Sequence, residues 1–191
     1  MDKEARFKAS VMTSTLDFVS RELGGPALQG ILGSFDSSQI AGKKLLPSDW
    51  VLQKTYHDFL QATHRYLQSA APPRNEEQFL FQMGKYIAQD SIAKYYKSLI
   101  RVLDTKFLLT QTPRIWGVIH THGKIRGEPV GKTGAEIYIT DFPSPSRQWC
   151  GMVIGFIHGV IELTRARDIK VEQVECVMNG AKHCHFHAEW R

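Results

Sequence analysis

The chain has 191 residues, 42% hydrophobic and 23% charged, which suffices for one domain spanning 1–191 and excludes an intrinsically disordered chain. Its formal net charge of +5 is scattered rather than clustered, so a solvated surface is favoured over nucleic-acid binding. No apolar run is long enough to cross a bilayer and no apolar segment follows the N-terminus, so neither a membrane span nor a secretory signal is predicted.

The first part of the chain, 1–110, is predicted to be helical. Apolar residues recur at helical spacing in four segments: 4–23, 27–35, 47–67 and 75–103. Gly24-Gly25-Pro26 ends the first helix, and Asn75, followed by two glutamates, caps the last. The apolar stripe of the last helix shifts near 90–91, which indicates a kink or an internal polar contact.

After Pro113 the pattern changes to that of strands. RIWGVIHTH over 114–122 and AEIYITDF over 135–142 are rich in β-branched and aromatic residues and predict two strands. The segment between them ends in Gly-Lys-Thr, like a phosphate-binding loop. However, Arg126 stands where that motif requires glycine, and a strand follows instead of a helix. The segment is therefore predicted to be a turn.

A helix follows the Pro/Ser stretch 143–146 and runs through Trp149 to the arginines near 167. Gly151, Gly155 and Gly159 lie four apart on one of its faces. Each glycine costs about 1 kcal/mol relative to alanine inside a helix. Such a stripe predicts a close neighbour, which could be a sheet, a second helix or a flat ligand, and tight packing on the sheet is favoured over ligand contact.

The chain ends in a predicted hairpin. Two strand-like segments, 169–178 and 182–190, flank Asn179-Gly180, a strong signal for a tight turn. Alternation places the following residues inward: Val174, Cys176, Met178, Cys184, Phe186, Ala188 and Trp190. A turn centred on Gly180 puts Cys176 opposite Cys184, with Cβ atoms roughly 4.5–5.5 Å apart. The two sulfurs could then share one metal ion.

The order of these elements defines the predicted fold class. A helical part, 1–110, precedes a strand–helix–hairpin part, 111–191. Strands grouped after helices indicate an α+β domain. We therefore expect an antiparallel sheet of about four strands packed against several helices.

The hairpin carries the residues of a known family. From Cys176 to Phe186 the chain reads Cys, three residues, Gly, three residues, Cys, one residue, Phe, and this resembles the closing signature of vinyl-4-reductase-type (4VR) domains. The glycine-rich helix is similar too, so the resemblance covers 147–187. It implies a ligand-binding fold related to haem-NO-binding domains and to small subunits of the transport-particle (TRAPP) complexes. The family includes phenol-sensing input domains of bacterial transcription activators and proteins tied to bacteriochlorophyll synthesis.

The resemblance also implies a structural zinc site. In the phenol-sensing members three cysteines and a glutamate hold the ion, and the cysteines match Cys150, Cys176 and Cys184. Gln173 stands at the position of the glutamate, so Glu172, Glu175, a histidine or water is left as the fourth ligand. Zinc favours tetrahedral thiolate coordination. The alternative is three buried thiols that pack as small hydrophobic groups.

The predicted sheet, the glycine-striped helix and the upstream helices can enclose an apolar pocket for a small apolar or aromatic ligand. The candidate pocket residues are Trp116, His120, Tyr138, Trp149 and Phe156. His120 is the best polar candidate, because a neutral imidazole can form a hydrogen bond with a ligand hydroxyl. Each of these residues could instead be part of the ordinary core.

No nucleophile elbow, zinc-protease or dinucleotide-binding motif occurs, which favours a non-enzymatic sensor or adaptor. The odd number of cysteines indicates a reducing cytoplasm, and output is expected through a homodimer or a signalling partner. The alternatives are an accessory protein of tetrapyrrole (bacteriochlorophyll or haem) metabolism and a dimeric interaction scaffold. A haem sensor would use His120 or His158 as axial ligand, but the Tyr-x-Ser-x-Arg signature of the haem-NO-binding relatives is missing.

Overall fold

The computed structural model describes residues 4–70, 72, 74–92, 105–143 and 145–191. Its α-helices are α1 (Ala9–Leu23), α2 (Gly25–Leu32), α3 (Gln53–Ser69), α4 (Glu76–Ile87), α5 (Thr105–Ile119) and α6 (Arg147–Glu162). Its strands are β1 (Arg6–Lys8), β2 (Trp50–Leu52), β3 (Lys124–Val130), β4 (Gly134–Thr140), β5 (Lys170–Glu175) and β6 (Cys184–Glu189). The predicted α+β class with a four-stranded antiparallel sheet is confirmed. No helix of the described residues is both long and apolar enough to cross a membrane.

The four-stranded sheet has the order β3-β4-β6-β5, and every neighbouring pair is antiparallel. On β4 and β6, the pairs Ile137–Phe186 and Ile139–Cys184 lie opposite each other and are buried. One face of the sheet therefore packs on the core, and the alternate residues form an outer face. A separate two-stranded sheet joins β1 to β2, and Phe7 of β1 also bridges to His120.

The predicted strand over 114–122 is wrong, because most of this segment belongs to helix α5. Residues 108, 109, 112, 115, 116 and 119 of α5 all line one cavity, which is the three-to-four-residue spacing of a helix. The β-branched residues are outweighed by this packing, since strand and helix propensities are weak against tertiary context. Strand β3 instead occupies most of the predicted turn, and the real turn is confined to 131–133.

The predicted irregularity near 90–91 coincides with a change of helix type. Helix α4 continues into a π-helical turn over Ala88–Ile92. There the Ser14 hydroxyl donates to the Asp90 carboxylate at 2.7 Å, and Ser91 donates to the Ile87 carbonyl at 2.6 Å. The remainder of the helix predicted to reach residue 103 lies outside the described residues. The segment predicted as a helix from 47 begins instead with strand β2, and α3 follows it.

The glycine stripe of α6 packs against helix α4, not against the sheet as predicted. A Cβ atom at Gly155 would lie 1.9 Å from the Phe81 carbonyl oxygen, and one at Gly84 would lie 2.0 Å from the Met152 carbonyl oxygen. Both distances are far below van der Waals contact, so only glycine fits at either position. The two helix backbones therefore touch directly at this crossing.

The hairpin forms as predicted, but part of its inward set is wrong. The pairing of β5 with β6 shifts register between Gln173 and Glu175, which is a β-bulge. The bulge reverses the alternation, so Val174 is 53% and Met178 48% exposed, while Cys176 still points inward. The inward residues of β6 and Trp190 are buried as predicted.

Candidate ligand cavity and thiol cluster

An apolar cavity of about 120 Å³ lies between helices α5 and α6, the inner face of the sheet and strand β1. Its lining from the two helices and β4 includes Leu108, Ile115, Ile119, Ile137, Ile139, Val153, Ile157 and Val160. Among the described residues that line it, none is an Asp, Glu, Lys or Arg. The cavity therefore suits an uncharged, largely apolar group.

Four of the five predicted pocket residues line this cavity: Trp116, His120, Trp149 and Phe156. The fifth, Tyr138, does not, because alternation along β4 turns Ile137 and Ile139 inward and Tyr138 outward. Its ring stacks on His185 at a centroid distance of 4.5 Å, and the Arg126 guanidinium lies 4.8 Å from the ring centroid. Tyr138 thus belongs to the outer face of the sheet.

His120 follows the last turn of α5. Its ring stacks on Trp116 with centroids 4.1 Å apart, and Phe142 meets both rings edge-on. Burial lowers the pKa of His120 to about 3, because the charged imidazolium would lose its hydration. The imidazole is therefore neutral at physiological pH and can donate or accept one hydrogen bond at each nitrogen.

Most other polar groups of the cavity wall have partners. The Tyr56 hydroxyl lies 3.1 Å from that of Thr15, and the Thr105 hydroxyl lies 2.6 Å from that of Thr164. Gln53 is different: it is 5% exposed, it lines the cavity, and its side chain makes no hydrogen bond to another described residue. Its amide is thus available to a ligand. The sequence prediction missed Gln53, and only the unusual burial of a polar residue identifies it.

A second, more open pocket of about 430 Å³ adjoins the first. Three residues line both spaces: Trp116, His120 and Ile125. The other residues of this outer pocket are Trp50, Pro113, Gly117, Thr121, Gly123 and Lys124. The stacked Trp116–His120 pair therefore separates the apolar cavity from a more polar outer pocket.

The three cysteines converge at the other end of α6. Their sulfur atoms all lie within 4.8 Å of one another, and those of Cys150 and Cys176 are 3.8 Å apart. Ser146 caps α6 by accepting a hydrogen bond from the Trp149 amide, which sets Cys150 in the first turn. All three thiols are free and buried. Zinc–sulfur bonds of about 2.3 Å place tetrahedral sulfurs roughly 3.8 Å apart, so this spacing fits one zinc ion.

The thiols share hydrogen bonds, and these split their acidities. Hydrogen bonds from Cys150 and from the Val177 backbone lower the pKa of Cys184 to about 6. The bond to Cys184 and burial together raise the pKa of Cys150. The first negative charge of the cluster therefore resides on Cys184, which is the thiolate that a metal ion would meet first.

The position of the fourth ligand is held by Gln173. Its side chain lies near Cys150 and favours the thiolate there, while its Nε2 atom is buried with no hydrogen-bond partner among the described residues. Glu172 and Glu175 are exposed, and Glu175 pairs with His183 at 3.1 Å. Neither glutamate joins the thiol group, so both expectations for the fourth ligand are corrected.

The predicted outward histidines form a separate network on the outer face of the sheet. The Glu136 carboxylate accepts from His185 Nε2 at 2.5 Å and from His187 Nδ1 at 2.8 Å. His187 Nε2 also lies 3.3 Å from Glu189. The hydrogen bond to Glu136 raises the pKa of His187. Burial acts to raise the pKa of Glu136, but the bonds from both histidines outweigh it and lower that pKa.

Solved structures show which class of fold this is. An H-NOX protein from S. oneidensis in the Fe(II)NO ligation state matches with a TM-score of 0.71 at 13% identity, covering 96% of this chain and 99% of that one. An oxygen-binding H-NOX domain related to soluble guanylate cyclases matches with a TM-score of 0.67 at 12% identity, covering 96% and 95%. The chain therefore has the fold of H-NOX proteins.

Within this fold, residues 136–190 match the model of the vinyl-4-reductase (4VR) domain family, which confirms the resemblance seen in the hairpin and the glycine-striped helix. No curated protein sequence matches the chain significantly. The fold and the family match together support a ligand-binding, sensor-type domain. The relation to transport-particle subunits stays an expectation.

Proposed function

We propose that the chain is a non-enzymatic sensor or adaptor domain that binds a small, largely apolar or aromatic molecule between α5, α6 and the sheet. The observation that carries this proposal is the apolar cavity with two available polar groups, the Gln53 amide and the neutral His120 imidazole. Trp116, Trp149 and Phe156 supply aromatic walls. Such a site selects for shape and for one or two hydrogen bonds.

We propose further that a structural zinc ion joins α6 to the hairpin. Cys150, Cys176 and Cys184 would hold it, and Gln173 is the side chain beside the fourth position. When bound, the ion would link the start of α6 to both hairpin strands. Metal binding of this kind contributes directly to folding free energy.

A haem group does not fit the described residues of the cavity. Solved structures with this fold are described with a haem that the protein distorts. Here the only histidine among the described lining residues is His120, whose ring stacks on Trp116, and no Arg or Lys there could pair with propionates. His158, the other predicted axial ligand, packs against Phe81 outside the cavity. The tetrapyrrole alternative therefore finds no support in the cavity.

Output through a homodimer or a separate signalling partner is part of the proposal, as is a cytoplasmic location. The three free thiols suit a reducing compartment. A dimeric scaffold without a ligand would be the conclusion if the cavity proves unable to bind small molecules.

Native mass spectrometry on protein purified without added metal tests both parts of the proposal. We expect an excess of one zinc ion over the denatured mass, and any further excess identifies a retained ligand. Cys176→Ser should abolish the zinc excess and lower the melting temperature by many degrees. A native mass without excess, together with an unchanged melting temperature of the variant, would rule out the metal site.

A further inference from the structure

The inner cavity and the outer pocket are continuous through one pair of rings. Trp116 and His120 line both spaces, and their planes are inclined by 24°. Trp116 is held in place by a hydrogen bond from its Nε1 to the His122 carbonyl at 3.1 Å. A ligand whose body fills the inner cavity and that extends past these rings therefore enters the outer pocket.

The two spaces differ in charge. No described residue lining the inner cavity is charged, and burying an unpaired ion there would be costly. Lys124 lines the outer pocket, and the Lys8 ammonium lies 3.7 Å from the centroid of the Trp50 ring, which also lines it. The residues described as lining the outer pocket include no Asp or Glu. An acidic group is thus excluded from the first space and favoured in the second.

Lys124 already has one partner, which is easily exchanged. Its ammonium lies 3.2 Å from the Asp141 carboxylate, and the two side chains are 80% and 66% exposed. Exposed ion pairs of this kind contribute little to stability, so a bound anion can replace Asp141 at small cost. Asp141 also has a φ of 54°, a conformation that asparagine adopts as readily.

We infer that the ligand is an amphipathic anion, whose apolar or aromatic body fills the inner cavity and whose acidic group lies in the outer pocket beside Lys124. The inference rests on the proposed function and adds the chemical class of the ligand. It assigns Lys124 as a binding residue and Asp141 as the carboxylate that competes with the ligand.

Two dyes with the same aromatic body test this inference by fluorescence titration. Anilinonaphthalene sulfonate carries an acidic group, and phenyl naphthylamine lacks it. We expect Lys124→Gln to weaken binding of the sulfonate roughly threefold and Asp141→Asn to strengthen it by a similar factor, the size expected of one exposed ion pair. Neither variant should change the affinity for the neutral dye.

Lys132→Gln is the matched control, because Lys132 lies in the turn at the far end of β3 and should affect neither dye. Val153→Phe narrows the inner cavity and should weaken both dyes together. If both dyes bind and the Lys124 and Asp141 variants leave the sulfonate affinity unchanged, the inference fails while the cavity proposal survives. If neither dye binds, or Val153→Phe weakens neither, the cavity proposal fails and the inference with it.

Discussion

The two long faces of helix α6 differ in the space that they leave. Along one face, Gly151, Gly155 and Gly159 meet helix α4 so closely that a single added carbon at Gly155 would lie 1.9 Å from a backbone oxygen. Along the other face, Val153 and Phe156 border a cavity of about 120 Å³. One helix thus separates residues that fix the position of the backbones from residues that determine which ligand enters.

Gly155→Ala should have the largest effect on stability. The new methyl group would overlap the Phe81 carbonyl, and the crossing helix cannot yield without moving its own backbone. We expect the free energy of unfolding in urea to fall by more than about 3 kcal/mol, the upper end of overpacking costs.

The control for this change is Gly30→Ala on the exposed side of α2, where an added Cβ meets no atom within 4 Å. It should raise stability by about 0.5–1 kcal/mol, since alanine is the better helix residue. Equal effects of the two variants would contradict the account of a backbone crossing.

Gln173→Glu tests whether the first turn of α6 is held by a metal as well as by the crossing. A carboxylate beside Cys150 adds a charged ligand, so we expect zinc affinity to rise roughly tenfold or more in competition with a chelating dye. Without zinc the same variant should be less stable than wild type, because its buried carboxylate is unpaired. A melting temperature that responds identically to a chelator in both proteins would argue against zinc at this site.

Val153→Phe probes the hollow face directly. The larger side chain enters existing space, so the free energy of unfolding should change by less than about 1.5 kcal/mol, in contrast to Gly155→Ala. Dye binding in the cavity should fall at least roughly tenfold, a difference of about 1.4 kcal/mol. A loss of stability as large as that of Gly155→Ala would show that the two faces do not differ.

Glu136→Gln on the outer face of the sheet should have the smallest effect. Its hydrogen bond raises the pKa of His187, so protonated His187 stabilises the fold fully below its unfolded pKa of about 6.5, and this contribution disappears as pH rises through the folded pKa. The lowered pKa of Glu136 keeps its own contribution present above pH values near its unfolded pKa.

The wild-type advantage over Glu136→Gln should therefore be greatest between those two limits and shrink at alkaline pH. Histidine titration by NMR should show a lower pKa for His187 in the variant. An unchanged titration of His187 would show that Glu136 is not its partner in solution.

The C-terminal third of the chain was the most predictable from sequence. Asn179-Gly180 set the hairpin turn, and the spacing around it brought Cys176 and Cys184 together with Cys150. Such features depend on local turn chemistry and on alternation over a few residues. The β-bulge after Gln173 was not predictable, because the extra residue changes no local propensity, and it exposed Val174 and Met178.

The helical part and the cavity were less predictable, because they depend on pairings distant in sequence. The stripe of α6 required a close neighbour, but only Gly84 in α4 reveals which one. Segment 114–122 has the composition of a strand and folds as a helix because its apolar face covers the cavity. Gln53 has no motif around it, and its burial arises from contacts that no local pattern records.

The short strand β1 also has a consequence for hydrogen exchange. Its Arg6 carbonyl accepts the Thr121 amide at 2.9 Å, and the neighbouring Ala5 carbonyl accepts the Gln53 amide at 2.8 Å. Both amides adjoin cavity residues, and Phe7 between them is itself part of the cavity wall. Local opening of β1 must break these two bonds, and a filled cavity makes that opening rarer. The exchange rates of two backbone amides thus form a built-in record of how often the cavity is occupied.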